Sequence, residues 1–160
     1  MLSAIAGYDN ANEVVPGIWL GNKLAAKDGQ FLKDAGITTV FNCTKDLPFH
    51  DSIKKRYRIP VDDNLDPKEI ENMYLWAPEA IVAMVREYKK GERILVHCHA
   101  GMQRSAALLT MALMAMMHLP SREVIPLVRK KRPIAFWTGV NFQPAIDRFE
   151  RDFFRAAGGL

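Results

Sequence analysis

The sequence predicts an α/β fold with a small central, mostly parallel sheet flanked by helices. Short apolar runs of strand length alternate along the chain with longer segments of helical periodicity. Helical segments separate most of the strand-like runs, and this arrangement favours parallel pairing. One apolar segment, Ala106–Met117, is too short to span a bilayer, so we interpret it as a helix buried inside the domain.

The first third of the chain predicts two strands around an interrupted helix. Ile18–Leu20 is a short strand, and Ile37–Asn42 is an apolar one. Lys23–Ala35 is predicted to be helical, with an interruption near Gly29. Gly36 ends that segment, because glycine readily adopts the left-handed conformation that follows many helices.

The middle of the chain predicts a strand followed by a long helix. Arg56–Val61 is the strand. In the run Asp66-Pro67-Lys68-Glu69, the aspartate caps a helix, the proline fits its first turn and the glutamate reaches back to the cap. The helix continues toward Lys90, and Pro78 is predicted to kink or split it.

The last third predicts one more strand and three helices. Arg93–His97 is the strand, and Arg104–Met117 is the central helix. Ser121 is predicted to cap the next helix, which ends before Pro133, and Asn141 is the candidate cap of the last helix. The last helix carries its apolar residues on one face, namely Phe142, Ile146, Phe149 and Phe153.

Length and composition predict one domain over residues 1–160. Hydrophobic residues make up 49% of the chain, which is enough for a core, and no apolar run is long enough to span a membrane. The first seven residues lack the pattern of a secretory signal. The net charge is +4, with basic runs at 54–58 and 129–132 that predict a positive rim attractive to phosphorylated partners. These runs contain no recognisable nucleic-acid module, so no nucleic-acid partner is expected.

The most informative stretch is His97-Cys98-His99-Ala100-Gly101-Met102-Gln103-Arg104-Ser105, between the last strand and the central helix. A strand that runs into a tight loop and a helix N-terminus directs several backbone N–H groups at one point. Such a loop binds a dianion of the size of phosphate. The predicted phosphate-binding residues are His99, Ala100, Gly101, Met102, Gln103 and Arg104.

The residue types in this loop suit nucleophilic attack on phosphorus. A free thiol is mostly protonated at neutral pH, but backbone amides, a helix N-terminus and an arginine lower its pKa to roughly 3.5–7.5, which would make Cys98 a thiolate. Arg104 closes the loop with a planar fork for two phosphate oxygens. Gly101 is predicted to let the backbone turn inward where a side chain would collide with the phosphate. Ser105 can donate toward the sulfur and stabilise the thiolate as a leaving group.

The order His-Cys-x-x-Gly-x-x-Arg-Ser resembles the cysteine-dependent protein tyrosine phosphatases, and the short chain resembles their dual-specificity branch. Further segments resemble the opening strand of that branch (14–22), its second strand (36–44), the strand before its acid loop (57–63) and a helix end after the phosphate loop (128–133). The resemblance implies a single phosphatase catalytic domain over residues 1–160 with a protein tyrosine phosphatase-like fold. It implies a cysteinyl-phosphate intermediate, no cofactor, and phosphorylated protein substrates carrying phosphotyrosine, with phosphoserine and phosphothreonine as further substrates.

The resemblance also implies an aspartic acid that protonates the leaving group, on the loop after the strand 56–61. Asp62, Asp63 and Asp66 compete for this role, and Asp66 is best explained as a helix cap. In the family the acid follows the strand at the position of Asp63. Asp63 is therefore the first choice and Asp62 the second.

Other candidate residues carry weaker signals. The resemblance implies that His97 lies beneath the loop and helps to hold it, a role that overlaps with that of a core histidine. His99 is predicted to line the loop. No cluster has metal-ligand spacing, so no metal is expected. Cys43 lies in an apolar strand and is predicted to be a core residue, with a disulfide to Cys98 as the alternative that the family suggests.

The sequence departs from the family pattern after the basic helix. The family often reads Arg-x-Ile-x-Pro-Asn-x-Gly-Phe, whereas this chain has Phe136 and Trp137 in place of the Pro-Asn pair. The family asparagine hydrogen-bonds around the phosphate loop, and a tryptophan side chain cannot accept a hydrogen bond. Either another group braces the loop or the pocket wall differs. We predict that Trp137 lies near the loop as an aromatic wall, with plain core packing as the rival interpretation.

Two alternative functions stay open at this point. One is a phosphoinositide or RNA 5′-phosphatase on the same loop, and the other is a phosphoprotein-binding module without turnover. The intact set of Cys98, Arg104 and Asp63 favours turnover. A reactive thiolate requires a reducing compartment, so the cytoplasm is expected, with the nucleus as the second choice. The sequence predicts neither the particular substrate nor the oligomeric state.

Overall fold

A mixed sheet of five strands crosses the computed structural model, which describes residues 8–156. In chain order the strands are β1 (Ala11–Val15), β2 (Ile18–Gly21), β3 (Thr39–Asn42), β4 (Lys55–Arg58) and β5 (Ile94–His97). Across the sheet their order is β1-β2-β5-β3-β4. Only β1 and β2 pair in antiparallel fashion, and the other three pairings are parallel. The predicted mostly parallel α/β sheet is confirmed.

Six helices flank the sheet within the described residues. They are α1 (Lys23–Ala26), α2 (Gly29–Asp34), α3 (Pro67–Lys89), α4 (Arg104–Met117), α5 (Ser121–Lys131) and α6 (Gln143–Ala156). The side chains of Asn22 and Asp28 cap α1 and α2, so the predicted interruption near Gly29 is confirmed. Between residues 8 and 156 no helix has both the length and the apolar character that crossing a membrane requires. The first seven residues, which lack the sequence pattern of a secretory signal, lie outside the described residues.

The central strands divide the core between the two faces of the sheet. In β5, Ile94 and Val96 belong to the larger core, which α3, α4, α5 and α6 complete. Leu95 points the other way and packs in a smaller cluster with Ala26 and Leu32 from α1 and α2. The α4 helix is buried from Arg104 to Met114, because it lies between the sheet and three other helices. This burial on all sides explains its apolar sequence.

The long helix α3 runs without a break from Pro67 to Lys89 although it contains Pro78. The predicted split at Pro78 is therefore wrong. A proline inside a helix costs about 3 kcal/mol, whereas each fully buried large apolar side chain contributes about 1.5–3 kcal/mol. Met73, Ile81 and Met84 are all buried on the inner face of α3, and their burial outweighs the defect.

The segment 14–22 forms parts of two strands rather than the single opening strand that the resemblance implies. β1 and β2 pair as a hairpin in which Val15 lies opposite Ile18. Between them Gly17 has φ of +88°, a conformation in which glycine carries no steric penalty. The Pro16-Gly17 pair is a common turn signal, so the hairpin was visible in the sequence.

Helix starts were predicted with mixed success. Asp66 caps α3 as predicted, since its carboxylate accepts a hydrogen bond from the Lys68 N–H at 2.9 Å. Ser121 does not cap α5, because it is already the first helical residue and Pro120 occupies the cap position. The carboxylate of Glu150 in α6 accepts the Ser121 N–H at 2.6 Å instead. The carboxylate of Glu150, which is distant in the sequence, thus takes the capping role that we predicted for the Ser121 hydroxyl.

His97, the last residue of β5, lies completely buried between β2 and β3. Burial lowers the pKa of its imidazole to about 4, because desolvation disfavours the charged ring. The nearby positive charges of Arg58 and Arg104 act in the same direction. His97 is therefore neutral at pH 7.

We expect acid to destabilise the fold through His97. The unfolded chain has a histidine pKa of about 6.5, so between pH 6.5 and about 4 the unfolded state binds a proton that the folded state does not. The free energy of unfolding should fall as the pH falls through this window, by on the order of 3 kcal/mol from this residue. Urea unfolding at a series of pH values measures the effect. His97→Gln should flatten the curve, so equal slopes for wild type and His97→Gln would contradict the assignment.

Candidate active site

The candidate site lies where the parallel strands end. Loops that leave the C-terminal ends of parallel strands meet at one edge of a sheet, and ligands commonly bind there. The loop of residues 98–103 connects β5 to α4, and residues 59–66 connect β4 to α3. Together they enclose a cavity of about 340 Å³, lined by Asp63, Cys98, His99, Ala100, Met102, Gln103, Arg104, Trp137 and Asn141.

Cys98 lies at the base of this cavity and is only 2% exposed. Its sulfur is 3.1 Å from the hydroxyl oxygen of Ser105. Burial by itself raises the pKa of the thiol, but the Arg104 charge, the Ser105 hydroxyl and the N–H groups of Ser105 and Gly101 outweigh it, so that the pKa lies below its ordinary value. The surroundings of Cys98 therefore favour a thiolate.

The carbonyl groups of the loop bind donors that lie outside the cavity. His99 O accepts from Lys23 N at 3.0 Å, Ala100 O and Gly101 O from the Arg132 guanidinium at 3.2 and 2.9 Å, Met102 O from Phe136 N at 2.8 Å, and Gln103 O from Ala107 N at 2.8 Å. No N–H group from His99 to Arg104 donates to an oxygen of residues 8–156. Apart from the N–H of Gly101, which stabilises the Cys98 sulfur, these N–H groups are available to the oxygens of a bound phosphate.

Gly101 is required for a different reason from the one that the sequence suggested. Its φ is +66°, and a Cβ atom at this position would lie 2.5 Å from the carbonyl oxygen of Gly21 and 2.8 Å from Arg132. The collision is thus with β2 and the outer side of the loop, rather than with the phosphate. The glycine allows the loop to pack against the end of the neighbouring strand.

Arg104 is buried at the start of α4 and points into the cavity. Its Nη1 donates to the carbonyl oxygen of Val61 at 3.1 Å, which fixes the guanidinium against the segment that leads to the acid loop. Its Nε has no hydrogen-bond partner among the described residues. Arg104 therefore keeps a donor edge for phosphate oxygens.

Asp62 and Asp63 have different surroundings. The Asp62 carboxylate binds the Lys45 ammonium at 3.0 Å and does not line the cavity. Asp63 does line it, and its Oδ1 accepts a hydrogen bond from Asn141 Nδ2 at 3.0 Å. The geometry favours Asp63 over Asp62 as a proton donor to a leaving group. Asn141 is consequently not the helix cap that we expected, since its amide donates to Asp63 and α6 begins two residues later.

Glu69 braces the acid loop instead of completing the cap of α3. The Asp66 N–H that it was predicted to bind donates to Asn64 Oδ1 at 2.9 Å. Glu69 Oε1 accepts from Asp62 N at 3.0 Å, and its Oε2 binds the Lys45 ammonium at 2.8 Å. Glu69 therefore fixes the backbone immediately before Asp63.

The histidines lie on different sides of the loop. His99 lines the cavity and is partly exposed, with its Nε2 at 3.2 Å from Asp46 Oδ1. This hydrogen bond holds the pKa of Asp46 below its usual range. His97 lies beneath the loop, with its Nδ1 at 3.3 Å from the carbonyl oxygen of Cys98. The imidazole of His97 is thus in contact with the backbone of Cys98 but does not line the cavity.

Other groups take the place of the missing Pro-Asn pair. Phe136 is completely buried, and its N–H binds Met102 O at 2.8 Å. Trp137 is half-buried and lines the cavity. The side chain of Gln103 binds the carbonyl oxygens of Gly139 at 2.7 Å and Trp137 at 3.3 Å. A backbone N–H and a glutamine therefore brace the loop.

Arg132 is a site residue that the sequence analysis missed. It was assigned to a positive rim, yet it is completely buried beneath the loop, where it binds two of the loop carbonyls. Within the other basic run, Lys55 pairs with Glu92 at 2.7 Å and Glu87 at 3.5 Å. Of the residues predicted to form a positive rim, Arg132 is therefore buried and Lys55 is paired with carboxylates. The position of Arg132 directly before a proline was a signal that its helix ends there, but nothing local revealed its burial.

Cys43 and Cys98 are both free thiols in the structure. Cys43 is buried in the core, and burial together with the nearby Cys98 raises its pKa, so it stays protonated. Over residues 8–156 no group of three or more His, Cys, Asp or Glu side chains is arranged to hold a metal ion. Of the two cysteines, only Cys98 lies in surroundings that lower the pKa of its thiol.

Comparisons with known proteins agree with this arrangement. The family model for the dual specificity phosphatase catalytic domain matches residues 18–152. Human dual specificity protein phosphatase 2 is 33% identical over 130 residues, which cover 79% of this chain and 40% of that protein. Among solved structures, a point variant of human DUSP28 has a TM-score of 0.80 and 25% identity, covering 91% of this chain and 97% of that chain. The structure of DUSP15 has a TM-score of 0.76 and 29% identity, covering 88% of each chain.

The chain spans less than half the length of the curated relatives that it matches. The match nevertheless includes every strand of the parallel part of the sheet and the whole phosphate loop. The resemblance noted in the sequence is confirmed, and so is the protein tyrosine phosphatase-like fold. This chain therefore belongs to the dual-specificity phosphatase family, within the superfamily of cysteine-dependent protein tyrosine phosphatases.

Proposed function

We propose that this chain hydrolyses phosphate monoesters on proteins, with phosphotyrosine as a substrate and phosphoserine and phosphothreonine as further ones. The observation that carries the proposal is the meeting of Cys98, Arg104 and Asp63 in one cavity. They supply a nucleophile, a phosphate-binding fork and an acid. The names of the relatives, which are protein phosphatases, support the same substrate class. A module that only binds phosphoproteins would need neither a stabilised thiolate nor an acid.

In the first step the Cys98 thiolate attacks phosphorus in line with the leaving group. The N–H groups of the loop and the Arg104 guanidinium bind the three equatorial oxygens and stabilise their charge. The bond between phosphorus and the ester oxygen breaks, and Asp63 gives its proton to that oxygen. The products are a free hydroxyl group on the protein substrate and a cysteinyl-phosphate.

In the second step a water molecule attacks the phosphorus of the cysteinyl-phosphate. Asp63, now a carboxylate, takes a proton from the water. The bond between sulfur and phosphorus breaks, and the sulfur leaves as a thiolate. The Ser105 hydroxyl, 3.1 Å from the sulfur, donates to it and lowers the free energy of this leaving group. Inorganic phosphate is released and the enzyme returns to its starting state.

The same features support a choice of partners and compartment. Arg132 is buried and Lys55 is paired, so the basic runs offer less to a phosphoinositide surface or an RNA than their sequence suggests. We therefore propose a phosphorylated protein as the partner and no nucleic acid. A catalytic thiolate with a second free cysteine nearby requires reducing conditions, which supports the cytoplasm, with the nucleus as the second choice.

Replacing the nucleophile tests the function directly. Cys98→Ser should lower turnover of p-nitrophenyl phosphate by at least about 10³-fold, because a hydroxyl is not ionised near neutral pH. Binding of inorganic phosphate should persist, since the loop and Arg104 are unchanged. Cys43→Ser is the matched control and should stay active. Substantial residual activity in Cys98→Ser would show that another residue is the nucleophile.

The choice between the two aspartates can be decided with two substrates. Asp63→Asn should lower kcat/KM for phenyl phosphate by about 10²-fold or more, and much less for p-nitrophenyl phosphate, whose leaving group needs little protonation. Asp62→Asn is the control, because that carboxylate binds Lys45 outside the cavity. The assignment fails if Asp62→Asn lowers kcat/KM much more for phenyl phosphate than for p-nitrophenyl phosphate and Asp63→Asn does not.

Trp137 should influence which phosphate esters are preferred. We expect Trp137→Asn to lower the ratio of aryl to alkyl phosphate turnover, since the half-buried indole ring lines the cavity. If Trp137 served only the core, truncation would cost about 3–5 kcal/mol of stability and leave the ratio unchanged. Measuring Tm together with the ratio separates the two roles. Trp76→Asn, which alters a half-buried tryptophan outside this cavity, is the control.

A further inference from the structure

One polar connection runs from the phosphate loop to the acid without passing through substrate. Gln103 belongs to the loop, and Asn141 hydrogen-bonds to Asp63. We propose that Asn141 is a positioning residue that orients the carboxyl group of Asp63, and that Gln103 holds Asn141 in place. This inference rests on the proposed role of Asp63 as the acid and goes beyond it.

Gln103 is only 5% exposed. Its amide nitrogen donates to the carbonyl oxygens of Gly139 and Trp137, at 2.7 and 3.3 Å. Its amide oxygen accepts the backbone N–H of Asn141 at 3.0 Å. Both the nitrogen and the oxygen of this buried amide thus bind the segment 137–141. The backbone of Asn141 is therefore fixed relative to the phosphate loop.

The side chain of Asn141 donates from Nδ2 to Asp63 Oδ1 at 3.0 Å. Among the described residues this is the one hydrogen bond that the Asp63 carboxylate accepts. The backbone before Asp63 is held separately, because Glu69 accepts the Asp62 N–H at 3.0 Å. The acid loop is thus fixed at its backbone by Glu69, while the direction of its catalytic carboxyl group depends on Asn141.

The hydrogen bond also distinguishes the two oxygens of the carboxyl group. In a protonated carboxyl group, the oxygen without the proton is the better acceptor. Since Asn141 donates to Oδ1, the proton that is transferred to the leaving group resides on Oδ2. When Asp63 has lost this proton, the same donor keeps the carboxylate in its orientation while it takes a proton from water.

A series of aryl phosphates with different leaving groups tests the proposal on the full chain. For Asn141→Leu, a variant of similar size without a donor, kcat/KM for phenyl phosphate should fall about 3- to 10-fold, as expected for one hydrogen bond. For p-nitrophenyl phosphate it should change by less than about twofold, because that leaving group needs little protonation. Asn141→Asp cannot donate while ionised and should also lose more activity on phenyl phosphate than on p-nitrophenyl phosphate. Gln143→Ala removes a neighbouring amide that binds Asp147 and should match wild type.

The double variant Asp63→Asn/Asn141→Leu distinguishes a positioning role of Asn141 from a general loss of activity caused by a disturbed structure. In the Asp63→Asn background, Asn141→Leu should cause no further selective loss on phenyl phosphate, because the carboxylic acid that it orients is gone. Equal losses on both substrates, a loss that persists in the Asp63→Asn background, or wild-type behaviour of Asn141→Leu would each overturn the proposal. If Asp63→Asn itself keeps the wild-type dependence on the leaving group, the proposed acid is wrong. If Asp63→Asn shows the steep dependence and Asn141→Leu does not, only the positioning role fails.

Discussion

A phosphate loop can direct its N–H groups inward only if its carbonyl groups find donors on the outside, because an unpaired buried carbonyl is costly. In this protein the donors come from several parts of the chain. The start of α1, the first turn of α4, the segment after α5 and the guanidinium of Arg132 together bind every carbonyl from His99 to Gln103. The shape of the anion site is thus determined by donors that lie on the outer side of the loop, away from the anion.

The same arrangement concentrates positive charge around the sulfur. Arg132 and Arg104 are both buried, and burial lowers the pKa of Arg132 because a charged guanidinium is poorly solvated there. The carbonyl partners of Arg132 and the charge of the Cys98 thiolate act against this loss. The Cys98 thiolate and the buried guanidinium groups therefore stabilise each other, so the folded structure favours the anionic form of Cys98.

Local patterns predicted the fold class and the center of the site, while tertiary contacts decided the rest. The motif placed Cys98, Ser105 and Arg104 correctly around one loop because all three lie within eight residues of each other. The contacts of Gln103 with Asn141, and of Arg132 with the loop, join residues more than thirty positions apart. No local pattern specifies such partners. The start of α5 was predicted wrongly for the same reason, because the carboxylate of Glu150 accepts the Ser121 N–H there and the serine hydroxyl is not the cap.

Arg132 also reaches back to the start of the described chain, where it binds Asp9 O and Asn12 Oδ1, each at 2.8 Å. These contacts join residues more than a hundred positions apart. The same guanidinium binds the carbonyl oxygens of Ala100 and Gly101, so Arg132 links the support of the phosphate loop to the start of the described chain. A change that displaced Asp9 or Asn12 would therefore act on the phosphate loop through Arg132, although neither residue lines the cavity.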